Sequence, residues 1–265
     1  MVDKNTILIV GAPRSGTTLL SGLLTGNNKC FPNLPECTFL TQIIEHYFAI
    51  LNYSDKERYR VFAKDIDTLQ GVYENHINNM VSIIESQFKA QEYSHLVLKD
   101  PELTKYIDLI PIFFGINSKV VLIVRDPRDT VSSMIKVELK KEEYNSKLDD
   151  DVVSKVAKYI YNYYYIAHQS DLYKSKNILV IKYEDIVDKK EKVFLKLEKF
   201  IGYKISRKPF ERNVFSFDTK DPTYSVNYDK DIIKVSSEFK EYLSDNNIKF
   251  IEAMFSGYNL QYDWW

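Results

Sequence analysis

Between residues 11 and 18 the chain reads GAPRSGTT. Two glycines, Gly11 and Gly16, bracket a turn tight enough to aim several backbone N–H groups at one point. Arg14 adds a cation, and Ser15, Thr17 and Thr18 add hydroxyls. Such a set holds an anion, most often a phosphate, with help from the partial positive charge of a helix N-terminus. The glycine spacing is that of a Walker A loop, but Thr17 stands where that motif has lysine. The Walker lysine reaches the β- and γ-phosphates of a nucleoside triphosphate. With Arg14 as the loop's one basic side chain, a single phosphate-like group fits better than a polyphosphate. The residues alone also allow a plain strand–helix turn that needs glycine.

Three further places carry groups of the right type. Lys99 follows the apolar run Leu96–Leu98 and precedes Asp100-Pro101-Glu102, an N-cap with proline at the first helical position. Arg125 follows the buried-type run Val120–Val124, and Asp126-Pro127 opens a helix that carries Ser132 and Ser133. A strand-end cation with a hydroxyl on the next helix can hold a second phosphate. Arg128 and Asp129 read as local ion-pair and capping residues. Glu36 sits in the proline-containing loop CFPNLPECTFL (30–40), just before the apolar stretch Phe39–Ile50. It is either a helix-start carboxylate, favoured by the dipole, or a functional acid. Lys99 likewise is either a functional cation or a solvated strand-end lysine.

The elements that must position these groups are strands followed by helices. Thr6–Val10 is a short β-branched run, and Leu19, Leu20, Leu23 and Leu24 recur at helical spacing behind the glycine loop. Ile178–Ile181 forms another strand run, followed by Lys182-Tyr183-Glu184-Asp185, and helical spacing resumes from Val193 to Ile201 and stops at Gly202. Alternation of this kind predicts a parallel sheet with right-handed crossovers. In such sheets ligands sit beyond the carboxyl ends of the strands, where Gly11–Thr18, Lys99 and Arg125 all fall. Residues 54–92 read as surface helices, 138–151 as a charged loop, and Asp151–Tyr173 as one amphipathic helix. The tail holds a Pro/Tyr loop at 218–230 and two more helical stretches before Trp264-Trp265.

Composition narrows the function classes. At 265 residues with net charge −1 and no basic tract, the chain is expected to form one domain and not to bind nucleic acid. No apolar run approaches the ~18 residues a membrane span needs. Two cysteines, Cys30 and Cys37, make no disulfide framework, so a cytoplasmic location is expected.

The order and spacing of these motifs, over about residues 6–201, resemble the sulfotransferases that use 3′-phosphoadenosine 5′-phosphosulfate (PAPS). GAPRSGTTLL looks like their 5′-phosphosulfate loop, which lacks the Walker lysine. VVLIVRDPRDTVSSM looks like their 3′-phosphate motif, with Arg125 at the strand end and Ser133 eight residues on. VIKYEDI looks like the segment whose tyrosine, here Tyr183, contacts the nucleotide. The layout is similar to the tyrosylprotein and bacterial branch, in which a glutamate in the loop after the first helix acts as base and a strand-end lysine follows. Glu36 and Lys99 match those positions. The histidine of the cytosolic small-molecule branch has no match in Lys99-Asp100-Pro101-Glu102.

The resemblance implies a single α/β domain (1–265), P-loop-like, with a central parallel sheet of about five strands. Helical insertions near 40–92 and 138–175 would lie on the acceptor side. It implies transfer of a sulfuryl group from PAPS to a hydroxyl on a glycan, a peptide tyrosine or a small metabolite. Glu36 would be the base, Lys99 and Arg14 the stabilising cations. Arg14, Ser15, Gly16, Thr17, Thr18, Arg125, Ser133 and Tyr183 would bind the nucleotide. Without a Walker lysine or a carboxylate pair placed for Mg²⁺, no metal is expected. The alternatives are a P-loop kinase or NTPase, for which Thr17, Arg125 and Ser133 have no use, and a non-catalytic nucleotide-binding module.

Overall fold

A computed structural model describes residues 5–53, 57–88, 93–141, 150–175, 178–209 and 239–265. Its centre is a parallel sheet of β1 (Asn5–Val10), β2 (His95–Lys99), β3 (Lys119–Val124) and β4 (Ile178–Lys182), in the order β2-β1-β3-β4. The expected count of five strands is corrected to four among the described residues. The four coincide with the four apolar runs of the sequence, and no fifth such run precedes a loop of the same kind.

The runs form strands because both faces of each are covered. Leu8, Val10, Leu96, Leu98, Val120, Leu122 and Val124 point into one core, and Ile7, Ile9, Val97, Val121 and Ile123 into the other. The two-residue alternation thus divides a continuous apolar run between two layers. One layer is made by α1 (Thr17–Leu24) together with α9 (Tyr183–Val187) and α10 (Glu191–Ile201), through Leu20, Leu23, Phe194, Leu197 and Ile201. The opposite layer is larger. It contains α2 (Thr38–Leu51), α3 (Glu57–Ala63), α4 (Ile66–Gln87), the 3₁₀ helix Pro101–Leu109 and α5 (Ile110–Phe114). It continues through α6 (Pro127–Lys141), α7 (Asp150–Gln169), α8 (Asp171–Lys174), α11 (Phe239–Tyr242) and α12 (Asp245–Tyr262).

Two boundaries differ from the sequence reading. Residues 138–141, expected in a loop, complete α6, because Val137 remains in the core and carries the helix on. The long helix ends at Gln169, where Ser170 accepts from the Tyr173 amide and starts α8 separately. Residues 142–149 of the charged stretch, and the 218–230 loop, lie outside the described residues. Cys30 and Cys37 are both free and buried. Among the described residues no helix is long and apolar enough to cross a membrane.

The strand order fixes where a ligand can sit. From β1 the chain moves to β2 on one side, and from β3 to β4 on the other. The loops after β1 and β3 therefore diverge and leave a crevice at the carboxyl ends of those strands. Gly11–Gly16 lines one side and Arg125 the other.

Candidate active site

The glycine loop is built from strained backbone that its glycines permit. Gly16 has φ 104°, and a Cβ there would lie 2.5 Å from Cδ2 of Tyr183. Gly11 has φ 150°, and a Cβ there would lie 2.5 Å from the Ile123 carbonyl oxygen. Both glycines are therefore dictated by conformation and by close approach. Arg14 is itself left-handed, at φ 67°. Behind the loop, Thr104 Oγ1 accepts from the Gly11 amide at 2.9 Å and donates to its carbonyl at 3.1 Å. This grip from the 3₁₀ helix, 93 residues away, was not apparent in sequence. Ser15 is fully buried, and its Oγ has no hydrogen-bond partner among the described residues. That hydroxyl lies inside the turn, next to Gly11.

The two phosphate-type motifs meet. Arg14 Nε donates to Ser133 Oγ at 3.2 Å, and Arg125 Nη1 donates to the Arg14 carbonyl at 3.1 Å. The Arg125 guanidinium lies 4.4 Å from the centre of the Tyr183 ring, the ring that also closes over Gly16. Thus Arg14, Gly16, Arg125, Ser133 and Tyr183, taken from three strand ends, surround one crevice. Thr17 is buried at the start of α1, and Thr18 beside it is partly buried.

Lys99 brings a second cation beside the loop. It arrives from the end of β2, is only 5% exposed, and donates to Thr18 Oγ1 at 2.9 Å and to Glu36 Oε1 at 2.7 Å. Glu36 is 48% exposed, so its carboxylate meets both the ammonium and solvent. It is not the cap of α2, which is Cys37. The Cys37 amide donates to the Lys99 carbonyl at 3.0 Å, which pins the Glu36 segment to the end of β2. Burial drives the Cys37 thiol far above its ordinary range, so it is an inert anchor.

The other histidines and acids lie elsewhere or serve structure. His95 opens β2, about 13 Å along the strand from Lys99 at the usual rise, and packs against Tyr203 with the rings tilted. His46 hydrogen-bonds Tyr73 at 2.7 Å. Asp100 caps the 3₁₀ helix through the Glu102 amide and accepts from Thr41 at 2.8 Å. Burial raises its carboxyl above the usual value despite those bonds. Glu102 shows the opposite balance. Burial alone would raise it, but hydrogen bonds from Lys105, Tyr163 and Tyr159 hold it lower. Tyr159, bound to the same carboxylate at 2.9 Å, is pushed up to about 12 by burial. Among the described residues no group of three or more His, Cys, Asp or Glu could hold a metal ion.

The strand-end arginine is held from behind. The Tyr164 hydroxyl accepts from the Arg125 amide at 3.0 Å and donates to the Arg125 carbonyl. The Asp126 amide donates to Glu184 Oε1 at 2.7 Å, and Trp264 Nε1 donates to Glu184 Oε2 at 3.3 Å. Arg128 pairs with Asp126 and Glu252, both at 2.7 Å, between the rings of Phe239 and Trp265. The sequence pointed to Arg128 as an ion-pair residue. Its second carboxylate and its two aromatic walls come from segments more than a hundred residues later.

The sequence matches the model of the sulfotransferase family over residues 6–207. No curated protein matches it in sequence. Among solved structures, the chain is similar to the sulfotransferase domain from the curacin biosynthetic pathway, with 19% identity, TM-score 0.52, and 96% of this chain and 98% of that one covered. It is similar to the sulfotransferase domain from the Synechococcus PCC 7002 olefin synthase, with 17% identity, TM-score 0.53, and 95% and 94% covered. It also resembles a sulfotransferase from Alicyclobacillus acidocaldarius, with 13% identity, TM-score 0.52, and 97% and 93% covered. At such identities the likeness is one of fold, and the family match carries the assignment: the chain belongs to the sulfotransferase family.

Proposed function

We propose that this sulfotransferase takes its sulfuryl group from PAPS and passes it to an acceptor hydroxyl, with Glu36 as the base. The observation that carries the reading is the meeting of Arg14, Arg125 and Ser133 in one crevice, closed on one side by Tyr183. A donor with phosphate at both the 5′ and 3′ positions needs two adjacent anion sites, and this crevice offers them. PAPS supplies an activated sulfuryl group whose leaving group is a phosphate oxygen.

The chain's own residues divide the work. The amides of Gly11–Thr18, with Ser15, Thr17 and Thr18, hold the 5′ end. Arg125 and Ser133 hold the 3′-phosphate, with Tyr183 against the nucleotide. Fixing both ends sets the sulfur in line with the acceptor oxygen. Glu36, half exposed and beside the loop, takes the acceptor proton as the new S–O bond forms. Lys99 and Arg14 meet the negative charge that grows on the departing phosphate oxygen and on the sulfuryl oxygens. No step calls on a metal ion. The acceptor is a hydroxyl on a glycan, a peptide tyrosine or a metabolite, and the protein works in the cytoplasm.

Arg125→Ala tests the assignment of the 3′-phosphate. A charge-assisted contact of this kind is worth about 1.5–3 kcal/mol, so affinity for 3′,5′-bisphosphoadenosine (PAP) should fall roughly 10- to 100-fold. Affinity for 5′-AMP should change little. Equal loss for both nucleotides would place Arg125 elsewhere than on the 3′-phosphate.

A further inference from the structure

We infer that Glu184 and Trp264 are positioning residues that aim Arg125 at the 3′-phosphate; this rests on the donor reading above. The backbone around Arg125 makes the case. Its amide and carbonyl are both tied to the Tyr164 hydroxyl, and the next amide, that of Asp126, is tied to Glu184. The backbone on which the guanidinium pivots therefore has no freedom of its own. Glu184 reaches the site from its other side too, because its neighbour Tyr183 is the ring under the Arg125 guanidinium. A single dipeptide, Tyr183-Glu184, thus fixes both the face of the arginine and its backbone.

The carboxylate of Glu184 is in turn oriented by the segment after α12. One oxygen faces the Asp126 amide and the other the Trp264 indole N–H. Trp264 is locked in place from several directions. Its amide donates to Asn259 Oδ1 at 2.7 Å, its carbonyl accepts from Arg128 at 3.4 Å, and its ring packs edge-on against Tyr164. Lys182, at the end of β4, donates to the Tyr262 and Asp263 carbonyls and so holds the turn that presents Trp264. None of these side chains belongs to the set assigned to the nucleotide. They form a wall behind it, built from β4, α7 and the segment after α12. Two groups in this wall touch both the Arg125 strand end and the final turn: Tyr164, through its hydroxyl and its ring, and the Glu184 carboxylate, which hydrogen-bonds to each.

Glutamate is the right residue for that place because it accepts on both oxygens. Glutamine could accept one of the two N–H groups but would turn its own N–H₂ toward the other. Trp264→Phe keeps an aromatic ring and removes the N–H together with the pyrrole half of the indole. Glu184→Gln is isosteric and Trp264→Phe loses volume, and thermal unfolding reports whether each one folds.

The experiment is a calorimetric titration of PAP and of 5′-AMP into the wild type, Glu184→Gln, Trp264→Phe, Arg125→Ala and the Glu184→Gln/Arg125→Ala double variant. The expected result is a preference for PAP over AMP in the wild type that falls roughly tenfold in Glu184→Gln. A smaller fall is expected in Trp264→Phe, and no further fall when Glu184→Gln is added to Arg125→Ala. Non-additivity is the signature, since two residues acting through one contact cannot lose it twice. If the variants keep the wild-type ratio, lose PAP and AMP affinity equally, or lose affinity additively with Arg125→Ala, the inference is overturned while the donor reading stands. If the wild type itself binds PAP and AMP alike, the donor reading fails and this inference fails with it.

Discussion

Glu36→Gln is expected to lower turnover roughly 10²–10⁴-fold while leaving affinity for PAP within about twofold of the wild type. The separation follows from geometry. Among the groups that face the phosphates Glu36 is seen to touch Lys99, and it does so as an acceptor. Glutamine keeps an oxygen to accept from the buried Lys99 ammonium, so the fold and the nucleotide loop should survive. What is lost is the ability to take a proton from an alcohol. The measurement is steady-state sulfuryl transfer beside PAP calorimetry on the same preparation. Full turnover in Glu36→Gln would reduce Glu36 to a partner for Lys99. His95 could not take over, because it lies at the opposite end of β2 and against Tyr203.

Lys99→Met is expected to cost roughly 10²–10³-fold in kcat, the usual consequence of removing one preorganised donor from a developing anion. Methionine fills the buried channel of the lysine stem, and Glu36, already half exposed, passes to solvent without a buried charge left behind. Stability should therefore change less than rate. Unlike the glutamate variant, this one should also weaken PAP binding, because the 5′-phosphate oxygen faced by Lys99 persists in the product. The pair of variants thus separates proton removal from leaving-group stabilisation by one binding measurement. A Lys99→Met enzyme with kcat within about twofold of the wild type would remove Lys99 from the mechanism.

The parts of this molecule that could be read in the sequence are the local ones. Thr6–Val10, Leu96–Leu98, Val120–Val124 and Ile178–Ile181 announced the four strands, because a strand covered on both faces must be apolar throughout. Gly11, Gly16, Asp100-Pro101 and Asp126-Pro127 marked the turns at their ends through backbone chemistry that few other residues satisfy. A fifth strand was expected from resemblance rather than from a fifth apolar run. The long-range contacts were not legible. Thr104 is an ordinary threonine until the 3₁₀ helix carries it beneath Gly11. Glu184 looks like a helix-start acid, which α9 also makes it, and nothing local says that its second oxygen meets Trp264. The one available hint was Trp264-Trp265 itself, two large rings just past a helix that need cover. Glu36 was legible as a candidate and ambiguous in role, because only packing shows that Cys37, not Glu36, caps α2.

The most direct test of the donor assignment is calorimetric titration of metal-free wild-type protein with PAP, 5′-AMP, and ATP with Mg²⁺. Tight binding of PAP, with AMP weaker by roughly 10- to 100-fold, is expected from the paired Arg125 and Ser133 site. A preference for ATP with Mg²⁺ over PAP would contradict it and assign the crevice to a nucleoside triphosphate.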